Sequence, residues 1–134
     1  MLLKAQALEK RMNARLNESF DLTRQLAEAV DRGDQVAIQM ELSMRREPLE
    51  ELRLLRRSLE ELRDALAPPD AARLAELLNG AAAEREAETA LANQVALNDR
   101  LLTRLLQMDK AVNQKFGRER SLYHKNLDTG PLSG

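Results

Sequence analysis

The sequence predicts an all-α protein: an antiparallel bundle of three long helices with helical-hairpin and coiled-coil packing and a flexible C-terminal tail. Hydrophobic residues make up 43% of the 134 residues and aromatic residues only 2%, which is typical of long helices rather than strands. Apolar residues recur three or four positions apart in three segments, which turn-forming residues separate. We therefore expect one bundle domain over residues 1–117 and a tail over residues 118–134.

The first predicted helix runs roughly from Leu3 to Asp31, because its apolar residues fall on one face. They are Leu8, Met12, Leu16, Phe20, Leu26 and Val30. Gly33 can adopt the left-handed conformation that ends a helix, and Asp34 can cap the next helix. The sequence Arg32-Gly33-Asp34 thus predicts a tight antiparallel reversal.

The second predicted helix extends from Gln35 to about Leu66, and leucines form a seam along its later half. The seam consists of Leu52, Leu55, Leu59, Leu62 and Leu66. Its alternating steps of three and four are the heptad spacing of packed long helices. The acidic pairs Glu50-Glu51 and Glu60-Glu61 lie opposite the seam, so we interpret them as solvated charges. Pro48 predicts a kink or a local break near Arg46–Pro48.

The third predicted helix follows Pro68-Pro69, the strongest boundary in the sequence. Asp70 can cap it. We expect a nearly continuous helix from Ala71 to Phe116, with a bend or short break at Gly80 and an end at Gly117.

An apolar stripe within residues 91–116 organises this interpretation. It comprises Leu91, Val95, Leu101, Leu102, Leu105, Met108, Val112 and Phe116. A stripe this apolar must pack against another surface, either of this chain or of another protein. We expect the preceding helices to cover the part up to Asn98, and the part from Leu101 to Phe116 to bind another polypeptide. A Leu105→Glu substitution should then disturb the fold less than Leu59→Glu.

Two polar or flexible features leave alternatives open. Asn98 lies near the stripe, where a buried asparagine can fix register or partner choice, although it can equally reach water at the edge. The methionines Met40, Met44 and Met108 either fill gaps in the core or provide an adaptable peptide-binding surface. We favour gap filling.

Several classes of function find little support in the composition. A net charge of −1, from 21 basic and 22 acidic residues, argues against nucleic-acid binding. The chain has no cysteine, and its single histidine, His124, falls in the predicted tail, where we interpret it as solvent-exposed. We therefore expect neither enzyme activity nor a cofactor or metal. With no signal peptide and no apolar run long enough for a membrane span, a soluble cytoplasmic protein is expected.

The layout of the chain resembles a known family. The reversal at Arg32-Gly33-Asp34 precedes a second helix rich in Leu, Glu and Arg, and a proline-containing break follows. The long helix then carries the pattern Asn93, Asn98, Leu101, Leu102, and the tail contains Ser121-Leu122-Tyr123. This order is similar to that of the FlgN-type flagellar export chaperones. The chain departs from it at Pro48 and in having no glycine directly after Tyr123.

The resemblance implies a cytoplasmic chaperone for hook-associated flagellar proteins. Such a chaperone binds the amphipathic C-terminal helices of these proteins, prevents premature assembly and delivers them to the type III export apparatus. The client helix would lie in a groove along the long C-terminal helix. Implied contacts are Asn98, Leu101, Leu102, Leu105, Met108, Val112 and Phe116. The alternative is a self-associating coiled-coil protein, structural or regulatory, which buries the same stripe in a homodimer; the Leu52–Leu66 seam motivates it.

Overall fold

The computed structural model describes residues 1–127, with side-chain surroundings for all of them except Phe116 and residues 118–127. The described chain forms helices and no strand, so the predicted all-α class is confirmed. The α-helices are α1 (Leu2–Arg32), α2 (Gln35–Met44), α3 (Arg46–Asp64), α4 (Pro68–Leu78) and α5 (Thr89–Leu127). A single 3-10 turn, Glu86–Glu88, precedes α5.

The reversal between α1 and α2 forms as the sequence predicts. Gly33 adopts a φ of 66°, in the left-handed region, and its N–H donates to the carbonyl of Val30. The Asp34 side chain accepts a hydrogen bond of 3.1 Å from the N–H of Ala37, which caps α2.

The predicted break near Pro48 lies at Arg45, the single residue between α2 and α3. Pro48 is the third residue of α3, where a helix needs no backbone donor. Because proline has no N–H to donate to the carbonyl of Met44, the hydrogen-bond ladder of α2 cannot continue through it.

The prediction of a nearly continuous helix from Ala71 to Phe116 is wrong. Gly80, with a φ of 98°, lies in a connection of about ten residues that separates α4 from α5. The predicted Asp70 cap is also wrong, because α4 begins at Pro68 after the N-cap residue Ala67. Proline suits the first turn of a helix, since the N–H it lacks would have no partner there.

Helix α5 passes through Gly117 and continues to Leu127, so the predicted helix end at Gly117 is wrong. A glycine within a helix costs only about 1 kcal/mol relative to alanine, and one such residue does not stop the helix. Of the predicted flexible tail, residues 128–134 lie outside the described residues.

Helix α1 is central, since α2, α3 and α5 all pack against it. Contacts that fix the helix directions are Glu9–Asn98 and Asp31–Lys115 between α1 and α5, and, between α1 and α3, Arg15–Glu51 and the shared core packing of Ala5 and Leu59. From these pairs, α5 runs parallel to α1 while α3 runs antiparallel to it. The architecture differs from three long helices, because Arg45 divides the second one and the separate α4 precedes the third.

The core consists of two clusters at different levels of the bundle. The first contains Ala5, Leu59, Leu74, Leu77, Leu91 and Val95, with Leu62 and Leu66 packed against it. The second contains Leu26, Ala29, Val30, Ile38 and Val112, with Met108 packed against it. The early part of the α5 stripe is therefore covered, as the sequence predicts, and so is part of the later stripe.

Candidate partner-binding surface

The residues implied as client contacts are divided between core and surface. Asn98, Leu105 and Val112 are buried, Leu101 and Met108 are partly buried, and Leu102 is exposed. The side chain of Phe116 lies outside the described part. Leu105 is 6% exposed and Leu59 is 5% exposed, so burial gives no reason to expect the first to tolerate glutamate better. The expectation that Leu105→Glu would spare the fold is corrected accordingly.

Exposed leucines lie on α5 and on α3, near the point where an ion pair joins the two regions. Arg45 Nη2, just before α3, donates to Asp109 Oδ1 on α5 over 2.9 Å. Leu49 follows Arg45 by four residues, while Leu106 and Leu102 precede Asp109 by three and seven. At these spacings each leucine shares a helix side with the member of the ion pair on its own helix. We call Leu49, Leu102 and Leu106 the leucine strip; they are 40%, 36% and 58% exposed.

Sequence reasoning missed two members of the leucine strip. Leu106 has the i,i+4 relation to Leu102 that could have revealed it, but the apolar pattern of the stripe favoured Leu105 instead. Leu49 could not be found this way, because only the Arg45–Asp109 contact relates its side of α3 to α5.

Asn98 is buried and has partners for its whole side chain. Its Nδ2 donates to the carbonyl oxygen of Glu9 over 2.8 Å and to Glu9 Oε2 over 2.7 Å. Its Oδ1 accepts hydrogen bonds from Asn13 over 2.9 Å and from Gln94 over 3.2 Å. Of the two alternatives that the sequence leaves open, the structure shows the buried one, in which Asn98 can fix the register of α5 against α1.

Glu9, the partner of Asn98, is a buried carboxyl group. Burial raises its pKa, and the nearby charge of Asp99 adds to this effect, while the hydrogen bond from Asn98 and the charge of Arg56 oppose it. Perturbed pKa values often mark functional sites. Here the carboxyl group is engaged with Asn98 between two packed helices, so its role is in packing and register.

The connection between α4 and α5 is held by a buried ion pair. Arg73 donates to both carboxylate oxygens of Glu88, from Nε over 2.9 Å and from Nη2 over 2.7 Å. The N–H of Glu84 and the guanidinium of Arg85 also donate to Glu88. These donors, Arg73 above all, hold the pKa of Glu88 well below its usual range, and Glu88 raises the pKa of Arg73. No sequence motif predicts this pair, because Arg73 and Glu88 come together only through the fold of the connection between α4 and α5.

The methionines have different surroundings. Met108 packs partly against the second core cluster, which agrees with gap filling. Met40 and Met44 are exposed, so the gap-filling interpretation is wrong for them. Together with Val36, they form an apolar row at four-residue steps along the outer side of α2.

The leucine seam of α3 is used within the chain. Leu55 and Leu59 are buried, and Leu62 and Leu66 pack against the first core cluster. Leu52 is partly buried. The seam therefore packs against other helices of the same chain, which removes the observation that motivated a coiled-coil homodimer.

Comparisons with protein families, with curated proteins and with solved structures find no match for this chain. Within residues 1–127, no helix combines the length and apolar character needed to cross a membrane. Among the described side chains, no cluster of acidic or histidine groups is arranged to hold a metal ion. The side chain of His124 lies outside the described part.

Proposed function

We propose that this protein binds amphipathic helices of other proteins and serves as a cytoplasmic export chaperone of the FlgN type. Its clients would be the C-terminal helices of hook-associated flagellar proteins, which it would keep from premature assembly and deliver to the type III export apparatus. The observation that carries the helix-binding part is the leucine strip. The choice of client follows from the resemblance in sequence layout.

The leucine strip has the properties of a helix-binding surface. It presents apolar side chains from two antiparallel helices, so a third helix can lie between them and contact both. Burial of apolar surface contributes about 25 cal/mol per Å² to the free energy of binding. The three half-exposed leucines supply part of the apolar area of such an interface.

The buried polar groups support binding rather than catalysis. Glu9 bonds to Asn98 between α1 and α5, and Glu88 in the 3-10 turn bonds to Arg73 of α4, so each of these carboxylates is engaged in holding two elements together. A catalytic acid or base must instead lie where it can reach a bound substrate.

Calorimetry with C-terminal segments of hook-associated proteins tests the proposal. We expect Leu106→Glu to weaken binding by about tenfold or more, because it places a charge in the apolar contact. Leu54→Glu is the matched control, since Leu54 is 51% exposed on another side of α3 and its substitution should leave binding unchanged. Absence of binding by the wild-type chain to every such segment would overturn the proposed function.

Light scattering tests the competing use of the same surface. If two copies cover the leucine strip in a homodimer, the wild-type chain dimerises and Leu106→Glu makes it monomeric. We expect a monomer at all concentrations for both proteins.

A further inference from the structure

Two basic side chains border the leucine strip. Arg46 precedes Leu49 by three residues on α3. Lys110 follows Leu106 by four residues on α5. At these spacings each basic residue shares a helix side with a leucine of the strip. Both side chains are exposed, so their charges are accessible to a molecule that covers the leucines.

One contact holds the two basic residues at the same end of the strip. Arg46 directly follows Arg45, and Lys110 directly follows Asp109. Arg45 bonds to Asp109 over 2.9 Å, which ties these two points of the chain together, and the two charges of this pair compensate each other. The charges of Arg46 and Lys110 are not compensated in this way, because no acidic side chain in the described part of the chain forms an ion pair with either of them.

The acidic residues near the strip do not balance these two charges. On α3, Glu47 and Glu50 lie two residues and one residue from Leu49, and therefore on other sides of the helix. On α5, Asp99 precedes Leu102 by three residues and shares its side. However, Asp99 lies about 16 Å along the helix from the basic end, at about 1.5 Å per residue. Salt largely screens exposed charges that are so far apart, since the Debye length is about 8 Å at physiological ionic strength.

We propose that the partner of the leucine strip is an amphipathic helix with acidic side chains beside its apolar face, where they pair with Arg46 and Lys110. The leucines supply the apolar contact. The two cations favour acidic edges and select against a helix with basic edges, because like charges in an interface cost free energy. The inference rests on the proposed function, since it takes the strip as a helix-binding surface, and it adds the chemical class of helix that fits.

Two synthetic helical peptides test the inference on the full chain. Both carry leucines at the same three- and four-residue steps, and the residues beside the leucines are glutamates in one peptide and lysines in the other. Calorimetry at low salt should show that the glutamate peptide binds at least about tenfold more tightly. The difference should shrink to about threefold or less in about 1 M salt, where the Debye length is about 3 Å. Equal affinities at low salt would overturn the inference.

Charge reversal tests whether the two basic residues cause the preference. Arg46→Glu and Lys110→Glu should each weaken binding of the glutamate peptide by about fivefold, and the double variant should prefer the lysine peptide. Arg100→Glu is the matched control, because Arg100 is also an exposed cation of α5 but lies two residues from Leu102, on another side. Its reversal changes the net charge equally and should weaken binding by less than about twofold. Equal losses in Arg100→Glu and Lys110→Glu would contradict local pairing.

The same measurements separate this inference from the proposed function. If both peptides bind equally and Leu106→Glu weakens both, the strip binds helices without selecting their charge, and only the inference is wrong. If neither peptide binds, the inference is wrong, and the C-terminal segments of hook-associated proteins decide the proposed function by themselves. If Leu106→Glu leaves binding of the glutamate peptide unchanged, the peptide binds elsewhere and the inference is wrong.

Two further measurements address other occupants of the strip. A wild-type dimer in light scattering that Leu106→Glu and Lys110→Glu both dissociate would show that a second copy of the chain covers the strip. Sedimentation of the wild-type chain with vesicles of anionic phospholipid, lost in the same two variants, would show that the strip binds a membrane surface instead. Either result would overturn the inference, and we expect neither.

Discussion

Two hydroxyl groups lie on the buried stripe of α1 without a hydrogen-bond partner in the part of the chain that the structure describes. Ser19 Oγ and Thr23 Oγ1 are one helical turn apart and are both fully buried. They occupy core-facing positions between Leu16 and Leu26, where apolar residues would be expected. An unpaired buried hydroxyl costs free energy because it loses its hydrogen bonds to water on folding.

Replacing Thr23 with valine should therefore stabilise the protein. Valine keeps the branched shape of threonine and removes the unpaired hydroxyl, so we expect the free energy of unfolding to rise by about 1 kcal/mol. Urea unfolding followed by circular dichroism measures the change. Thr103→Val, at an exposed position, is the control and should change stability by no more than about 0.5 kcal/mol. A loss of stability in Thr23→Val would mean that the hydroxyl has a partner in solution.

Among the elements, α4 depends on one ion pair as well as on its apolar face. Leu74 and Leu77 anchor α4 in the first core cluster, and Arg73 joins it to Glu88 just before α5. Without Arg73, the buried carboxylate of Glu88 keeps only Arg85 and the N–H of Glu84 as donors, and weakening a buried pair in this way is far more damaging than losing an exposed pair.

Arg73→Gln should accordingly lower the urea midpoint much more than Arg53→Gln, whose partner Glu50 is exposed. The pH dependence should change as well. Because the pKa of Glu88 is lowered in the folded state, its contribution to stability is present above about pH 4.5 and is lost as the pH falls further. We expect Arg73→Gln to weaken this acid-induced loss. Parallel pH profiles for the variant and the wild type would contradict the role of the pair.

The sequence predicts the elements whose cause is local and misses those whose cause is tertiary. Gly33 and Asp34 define a reversal through their own backbone and side-chain preferences, and Pro48 cannot continue the hydrogen-bond ladder of the helix before it. By contrast, the connection around Gly80 is held by Arg73 and Glu88, which no periodicity links. The spacing of apolar residues also does not distinguish a surface that is free to bind a partner from one that α1 or α2 covers. It therefore does not reveal that part of the later α5 stripe is buried.

For the whole molecule, the buried polar contact between Glu9 and Asn98 sets the register of α1 against α5. The effect of Glu9 on the pH dependence of stability is opposite in sign to that of Glu88. The raised pKa of Glu9 means that its contribution is fully present below about pH 4.5 and is lost as the pH rises through the folded-state value. Ionisation of Glu9 is therefore less favourable in the folded than in the unfolded protein, which lowers stability at neutral pH.

Glu9→Gln removes the ionisable group and keeps an oxygen that can accept the hydrogen bond from Asn98. We expect the variant to be more stable than wild type at pH 7, with the difference closing as the pH falls below about 4.5, where Glu9 is neutral in both folded and unfolded chains. Urea unfolding at several pH values measures this difference. Glu18→Gln, an exposed position on the same helix, should show no such trend. A variant that is less stable than wild type at every pH would show that the carboxylate itself, rather than its hydrogen bond with Asn98, holds α1 and α5 in register.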